Sequence, residues 1–294
     1  MRAQIQRYGK YGGYGLFTLL LILYFSFLTF PYDELKDRYI AQQLQGLPYE
    51  VSIDSLRATP FLWIRATGVD LIQSKQNERA SFLKLQEVRL RPSLIRLLTG
   101  KLAFRIKASL YGGKIKGRAG KGKETVDVSL DWKNIALEQL PVQTQMPEAE
   151  LAGKLNGEMD LHLRFQGNRL VPGDGTMKAT LSGGSAKNLQ FRGFPLPALG
   201  DINGQGELTL GQNRATLESL SLNADLLSFS LEGKADLSRL LSSSPLNLKG
   251  KIKLSGSLGS QYQPMLEGLL RKQDKDGFYI FSIRGTLGSP RFSL

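Results

Sequence analysis

The sequence predicts a mainly β protein, in which an N-terminal transmembrane helix is followed by a long antiparallel β-sheet and a few short helices. Two observations carry this prediction. Residues 11–31 form one uncharged apolar run, and most of the later chain alternates apolar and polar residues with the period of a strand. Because helical spacing is confined to short segments, the pattern favours antiparallel strands over βαβ units.

The composition of the 294-residue chain is that of a folded protein, with 41% hydrophobic and 22% charged residues. The chain has no Cys and a single His, which excludes thiolate nucleophiles, disulfides, Cys/His zinc sites and histidine-based catalytic triads. No phosphate-binding loop, calcium loop or paired catalytic carboxylates are found. The sequence therefore predicts a protein that is not an enzyme and has no metal and no cofactor.

The apolar run at 11–31 is long enough to cross a bilayer as a helix and carries aromatic residues at both ends. A cleaved signal peptide and a buried soluble helix are the alternatives. The residues that follow the run offer no small-x-small cleavage site, which favours an uncleaved anchor. Arg2, Arg7 and Lys10 precede the run without any acidic residue, which predicts a cytoplasmic amino terminus.

The predicted order is a cytoplasmic tail at 1–10, the transmembrane helix at 11–31, an amphipathic helix at 32–46 and a β-rich domain at 47–294. With the amino terminus in the cytoplasm, the β-rich domain lies on the far side of the membrane. The sequence thus predicts a single-pass protein of the cell inner membrane whose bulk is periplasmic.

Strands are predicted from apolar and polar alternation near residues 51–57, 62–72, 82–91, 101–107, 126–132, 155–165, 176–181, 204–210, 216–224, 227–237, 246–258 and 279–287. Further short helices are predicted near 92–99, 134–140 and 262–273. These helices are too few to cover the apolar side of so many strands.

A continuous apolar face has to be covered by a second sheet, by closure of the sheet, or by an apolar ligand. Glycines recur on that face, and they permit sharp coiling of a strand or close approach of a ligand. A two-layer sandwich and a curved sheet with an apolar groove are equally compatible with the pattern. The predicted groove-lining residues are Leu155, Met159, Leu161, Leu163, Phe165, Phe229, Leu231, Leu248, Ile252, Leu254, Phe281 and Ile283.

The surplus of 13 positive charges is concentrated between Val88 and Lys123, where basic residues occur without any acidic one. The part of this segment predicted to form an exposed patch is Arg105, Lys107, Lys114, Lys116 and Arg118. The patch lacks the interleaved aromatics of stacking platforms, so nucleic acid is not expected as a partner. Anionic lipid or an acidic protein partner is expected, and a solvated sheet face that aids solubility is the alternative.

The sequence also resembles a known family through three segments: FPYDELKDR after the apolar run, Leu110-Tyr111-Gly112-Gly113, and Tyr279-x-Phe281-x-Ile283-x-Gly285-Thr286-Leu287-x-x-Pro290. Their order along the chain is similar to that of the type II secretion system protein N family, of the leptospiral and deltaproteobacterial type, within the AsmA-like superfamily. The AsmA-like resemblance implies a long, strongly curved sheet with an apolar concave side, as a groove or open barrel.

Two functions are expected from these observations. The resemblance implies a non-enzymatic component of a type II protein secretion system, whose β domain docks with other secretion proteins. The uncovered apolar face predicts a lipid-binding or lipid-transfer protein with phospholipid in the groove. An outer-membrane barrel fits the alternation but conflicts with an uncleaved anchor.

Overall fold

The computed structural model describes residues 17–18, 21–22, 24–35, 49–75, 78–93, 96–97, 99–140, 149–166, 169–188, 190–191, 194–195, 197–211, 213–238, 241–256 and 273–293. Among these residues, no helix is both long enough and apolar enough to cross a membrane. The predicted tail at 1–10 and the helix at 262–273, except for Gln273, lie outside the described residues, as do parts of the predicted segments 11–31 and 32–46.

The chain divides into two compact units, of which the first ends at Pro92. It contains the short helix α1 (Tyr32–Leu35) and the antiparallel strands β1 (Tyr49–Ala58), β2 (Ile64–Lys75) and β3 (Glu78–Pro92). Each strand falls where alternation predicts one, because alternate residues face a common core.

The core of this unit is small and includes one aromatic residue from outside the strands. Tyr32, Leu56, Ala66 and Val69 are buried together, and Phe27 packs against them. The Tyr32 hydroxyl donates a hydrogen bond to the carbonyl oxygen of Phe27 over 2.9 Å. Tyr32 therefore fixes the end of the helical segment against β1 and β2, with its polar end satisfied by the backbone.

The second unit begins at Ser93 and is built almost entirely of strands. They are β4 (Leu102–Leu110), β5 (Gly113–Lys121), β6 (Thr125–Ala136), β7 (Glu150–Gln166), β8 (Arg169–Lys187), β9 (Gln190–Phe191), β10 (Phe194–Pro195), β11 (Leu199–Gly211), β12 (Arg214–Ala224), β13 (Leu227–Asp236), β14 (Pro245–Leu254), β15 (Tyr279–Thr286) and β16 (Ser289–Ser293). Short 3₁₀ turns occupy Leu137–Gln139 and Leu241–Ser243.

Within this unit, β4 to β8 and β11 to β16 form one antiparallel sheet in chain order. The other sheet among its described residues is the two-stranded pair of β9 and β10. The prediction of a mainly β, antiparallel protein is therefore confirmed. The two-layer sandwich alternative is wrong for the part of the unit that the structure describes, because its long strands lie in a single sheet.

The helix predicted at 134–140 is wrong, because β6 continues through Ala136 and only Leu137–Gln139 forms a 3₁₀ turn. The pairing of β6 with β7 shifts register between Trp132 and Ile135, and Asn134 has a φ of 55°. This bulge interrupts the alternation, which explains why the segment looks helical in the sequence. Of the helix predicted at 92–99, Arg96 and Leu97 are helical, while Pro92 belongs to β3.

The predicted strands do not include β5, the short pair β9 and β10, the first part of β8, or β16. The omissions in β8 and β16 share one cause. Both contain a proline, Pro172 and Pro290, which reads as a strand breaker in the sequence. Pro172 lies at a register shift of the β7 and β8 pairing, and β16 is the last strand of the sheet order. Bulges and edge strands are the places where a residue without an N–H fits a sheet.

The turn before β15 is held by one carboxylate. Asp274 Oδ1 accepts the backbone N–H groups of Phe278 and Asp276 over 2.9 and 3.0 Å, and Oδ2 accepts Lys251 Nζ over 3.1 Å. The Phe278 N–H, followed by the Lys251 ammonium and the Asp276 N–H, keeps the pKa of Asp274 below its usual range. The charged carboxylate therefore stabilises the turn that leads into β15.

Candidate functional site

The register of the second unit brings the predicted groove-lining residues to one side of its sheet, here called the apolar face. Paired residues in neighbouring strands point to the same side, and so do residues two apart within a strand. Met159 of β7 pairs with Leu130 of β6 and Met177 of β8, and Leu248 of β14 pairs with Ile283 of β15. All the predicted lining residues, from Leu155 to Ile283, lie on the apolar face by this criterion.

One row of paired residues crosses every strand of the sheet on this face. It runs Ile106, Gly117, Leu130, Met159, Met177, Leu208, Leu217, Gly233, Leu248, Ile283 and Phe292. The row contains no polar side chain. Neighbouring rows are almost as apolar, so the face is continuous from β4 to β16.

The apolar face is only half covered. Among the predicted lining residues, Phe281 alone is buried, at 8% exposed, and the others are intermediate. Met177 and Phe292 in the long row are 37% and 53% exposed. No second layer of the described residues of this unit packs on this face, so its side chains shield one another only along the sheet.

The glycines of the apolar face act as seats for large side chains on the next strand. Gly157 pairs with Trp132 and Gly250 pairs with Phe281, and in each case the aromatic ring occupies the space where a Cβ would stand. A leucine side chain takes the same place in the pairs Gly117 with Leu130, Gly175 with Leu161, and Gly204 with Leu222. At these positions a neighbouring side chain already occupies space that the glycine leaves open.

Gly250→Ala is expected to lower the free energy of unfolding by about 1–3 kcal/mol, because a Cβ there displaces the Phe281 ring from a packed position. Gly120→Ala is the control, since its Cβ would meet no atom closer than 3.7 Å. Chemical denaturation of the full chain, followed by circular dichroism, measures both variants. Equal stabilities would contradict the seat arrangement.

The predicted basic patch also forms one surface, on the polar side of β4 and β5. Arg105 pairs with Arg118, and Lys107 with Lys116, while Lys114 lies on the same side between Ser109 and Lys133. All the predicted patch residues are exposed. Like charges directly opposite each other destabilise a sheet. The patch contains two such pairs side by side, although Lys116 also has Asp131 opposite it on β6.

Elsewhere the polar side of the sheet pairs opposite charges. Lys178 Nζ lies 3.1 Å from Glu207 Oε1 on the neighbouring strand, and Arg214 Nε lies 2.7 Å from Asp236 Oδ1. His162 Nδ1 lies 2.8 Å from Asp127 Oδ1. His162 is therefore a partner of a carboxylate on the polar side, and the described residues contain no group of three His, Asp or Glu side chains that could hold a metal ion.

Several residues of the apolar face are missing from the predicted set. They are Leu130, Trp132, Met177, Leu208, Leu217 and Phe292. Alternation in 126–132, 204–210 and 216–224 already marks most of them, so the signal was present in the sequence. Phe292 lacks this signal, because β16 is too short and too close to Pro290 to read as a strand.

Comparison of the chain with known protein families, with curated proteins and with solved structures finds no match.

Proposed function

We propose that the chain is a non-enzymatic, membrane-tethered protein whose second unit binds the acyl chains of lipids along its apolar face. The observation that supports this proposal is the row of apolar residues that crosses the sheet from Ile106 to Phe292 with no covering layer among the described residues of that unit. A large exposed apolar surface is rare on a soluble domain unless it meets a partner, a membrane or a ligand.

The dimensions of the face suit an acyl chain. Neighbouring strands lie about 4.8 Å apart, and one lipid tail fills about half of a ~30 Å hydrocarbon core. A tail of that length laid along the row covers about three strands, so the face accommodates more than one. A tail lying along the face would rest on side chains such as Trp132 and Phe281, which occupy the space beside Gly157 and Gly250.

The proposed tether is the apolar run at 11–31, in the inner membrane, with the amino terminus cytoplasmic and the sheet periplasmic. Its described residues Phe17, Ile22 and Phe25 are 60%, 57% and 58% exposed. Large apolar side chains that are exposed on helical residues are stable in hydrocarbon and costly in water. A tethered sheet with an apolar face would stay close to the source of its lipid.

Native mass spectrometry tests the lipid proposal on the full chain after extraction in a mild detergent. The expected result is a series of adducts with the masses of phospholipids, which survive detergent exchange. A spectrum of bare protein, together with unchanged stability after delipidation, would refute the proposal.

A second candidate function is a component of a type II secretion system that docks through the sheet. It is supported by the resemblance and by the structural roles of its motif residues. Tyr111 is 8% exposed, and its backbone carbonyl oxygen accepts a hydrogen bond from the Ala136 N–H over 3.0 Å. Gly113 lies against the backbone of Asn134 and Ile135. The motif is thus needed to join β4, β5 and β6. The outer edge of β16 is unpaired among the described residues and suits addition of a partner strand.

Site-specific photo-crosslinking at Phe292 in cells with an active secretion system tests the second candidate. Docking predicts a crosslink to a secretion protein from Phe292, which is 53% exposed, and none from the exposed Phe61 of the first unit. Crosslinks from both positions or from neither would count against edge docking.

A further inference from the structure

A small pocket lies on the opposite side of the sheet from the apolar face, at the end formed by β4 to β7. It has a volume of about 210 Å³, and apolar residues such as Phe104, Val128 and Leu161 contribute to its lining. The charged residues and the histidine that line it are Arg96, Arg105, Arg118, Asp127, Asp160 and His162. All of these residues belong to the second unit. Of these residues, only Arg105 and Arg118 belong to the basic patch that the sequence predicts.

Ser93 and Arg96, which lie between β3 and β4, form one wall of the pocket. Ser93 N–H donates to Ala103 O of β4 over 2.8 Å, and Lys101 N–H donates to Arg96 O over 2.9 Å. Arg96 thereby reaches Gly120 on β5, where a Cβ would stand 3.7 Å from its Nη1 atom. Because Gly120 has no side chain, there is room beneath the Arg96 guanidinium.

Three arginines, Arg96, Arg105 and Arg118, line this pocket. Arg105 and Arg118 are direct cross-strand partners, and Arg118 lies two residues before Gly120 on the same side of β5. Within the part of the chain that the structure describes, no ion pair or hydrogen bond engages the side chain of Arg96, Arg105 or Arg118.

The carboxylates that line the pocket are engaged with other groups. Asp127 Oδ1 contacts His162 Nδ1 over 2.8 Å, and Asp160 accepts a hydrogen bond from the hydroxyl of Ser129. Their charges balance part of the cluster from β6 and β7, while the donors of the arginines stay unused. Unused guanidinium donors in a concave site are typical of anion recognition.

We propose that this pocket binds a phosphate group. Three separate guanidiniums call for an anion with at least three acceptor oxygens, which a phosphate supplies and a carboxylate does not. A volume of about 210 Å³ leaves room for a phosphate and a small attached group. The inference goes beyond acyl-chain binding, because the pocket and the apolar face lie on opposite sides of the sheet.

Isothermal titration of the full chain in detergent with inorganic phosphate, against chloride at matched ionic strength, tests the site. Saturable binding is expected, and Arg105→Gln with Arg118→Gln should weaken it about tenfold or more, because two charge-assisted donors are lost. The control Lys114→Gln with Lys116→Gln removes the same charge from the same surface outside the pocket, and it should leave the affinity within about twofold.

Gly120→Leu is a second variant that keeps every charge and fills the room beneath Arg96, and it should also weaken phosphate binding. If the double arginine variant does not fold, the Gly120→Leu variant still tests whether phosphate binds in the pocket. Absence of saturable phosphate binding by the unmodified chain, or equal weakening by the arginine and lysine pairs, would overturn the proposal. Either result would remain compatible with lipid adducts on the apolar face, so the two proposals fail separately.

Vesicles identify the source of the phosphate. If a lipid head group is the ligand, vesicles containing phosphatidic acid should bind the chain, and both inorganic phosphate and the arginine substitutions should reduce this binding. If a free phosphate compound is the ligand, the vesicles should not compete with inorganic phosphate. Both results support the pocket, and they assign it to different ligands.

Discussion

Replacing Leu161 and Leu163 with Glu is expected to abolish the phospholipid adducts of the full chain. Both residues lie on the apolar face in the middle of the long strand β7, and both are half-buried. A carboxylate opposed to an acyl chain loses hydration without gaining a partner, at a cost of about 2 kcal/mol or more for each group. The occupancy measured by native mass spectrometry should therefore fall by more than about tenfold.

Thr180→Glu with Ser182→Glu is the matched control. It adds the same charges two residues apart on the neighbouring strand β8, where both residues are exposed on the polar side of the sheet. Lipid occupancy should be unchanged. If both double variants keep their lipid, the apolar face is not the binding surface. If both lose it equally while remaining folded, added negative charge rather than the face explains the loss.

Replacing Ile22 and Phe25 with Arg is expected to release the protein from the membrane fraction. Each Arg near the centre of a transmembrane helix disfavours insertion by about 2.5–3.5 kcal/mol. We expect two of them to outweigh the favourable free energy of insertion of the remaining apolar residues. Extraction of membranes with alkaline carbonate, followed by immunodetection, measures the retained fraction. The unmodified chain should stay in the pellet and the double variant should not.

Phe61→Arg with Leu287→Arg adds the same charge at exposed apolar residues outside the proposed tether, 75% and 45% exposed, and should leave retention intact. Retention of the Ile22 and Phe25 variant would show that another surface holds the protein at the membrane. A mature amino terminus beyond residue 31, found by N-terminal sequencing, would support the cleaved signal peptide instead.

Much of the fold was predictable because apolar and polar residues alternate along the strands of a sheet that has one apolar side. The alternation at 155–165 predicted β7, and the structure extends it to Glu150–Gln166. Where the period fails, the prediction fails with it. The bulge near Asn134 made the end of β6 look helical, and the proline and glycines at the start of β8 hid half of the strand.

For the candidate site, the sequence could predict only the features that depend on a single strand. Alternation tells which side a residue faces, but it does not tell which residue lies opposite. The seating of Phe281 on Gly250 depends on the register of β14 with β15. Arg96 could not be assigned to the pocket, because its position depends on hydrogen bonds between a connecting segment and β4.

The chain-order arrangement of the second unit has a consequence for assembly. Each long strand of the sheet pairs with the strands that come immediately before and after it in that sheet. Most of these pairs are joined by short turns, while longer connections precede β7, β11 and β15. The sheet can lengthen one hairpin at a time as more polypeptide becomes available, and each new hairpin finds an edge that is already in place. Gain or loss of whole hairpins would then lengthen or shorten the platform while leaving the register of the remaining strands unchanged.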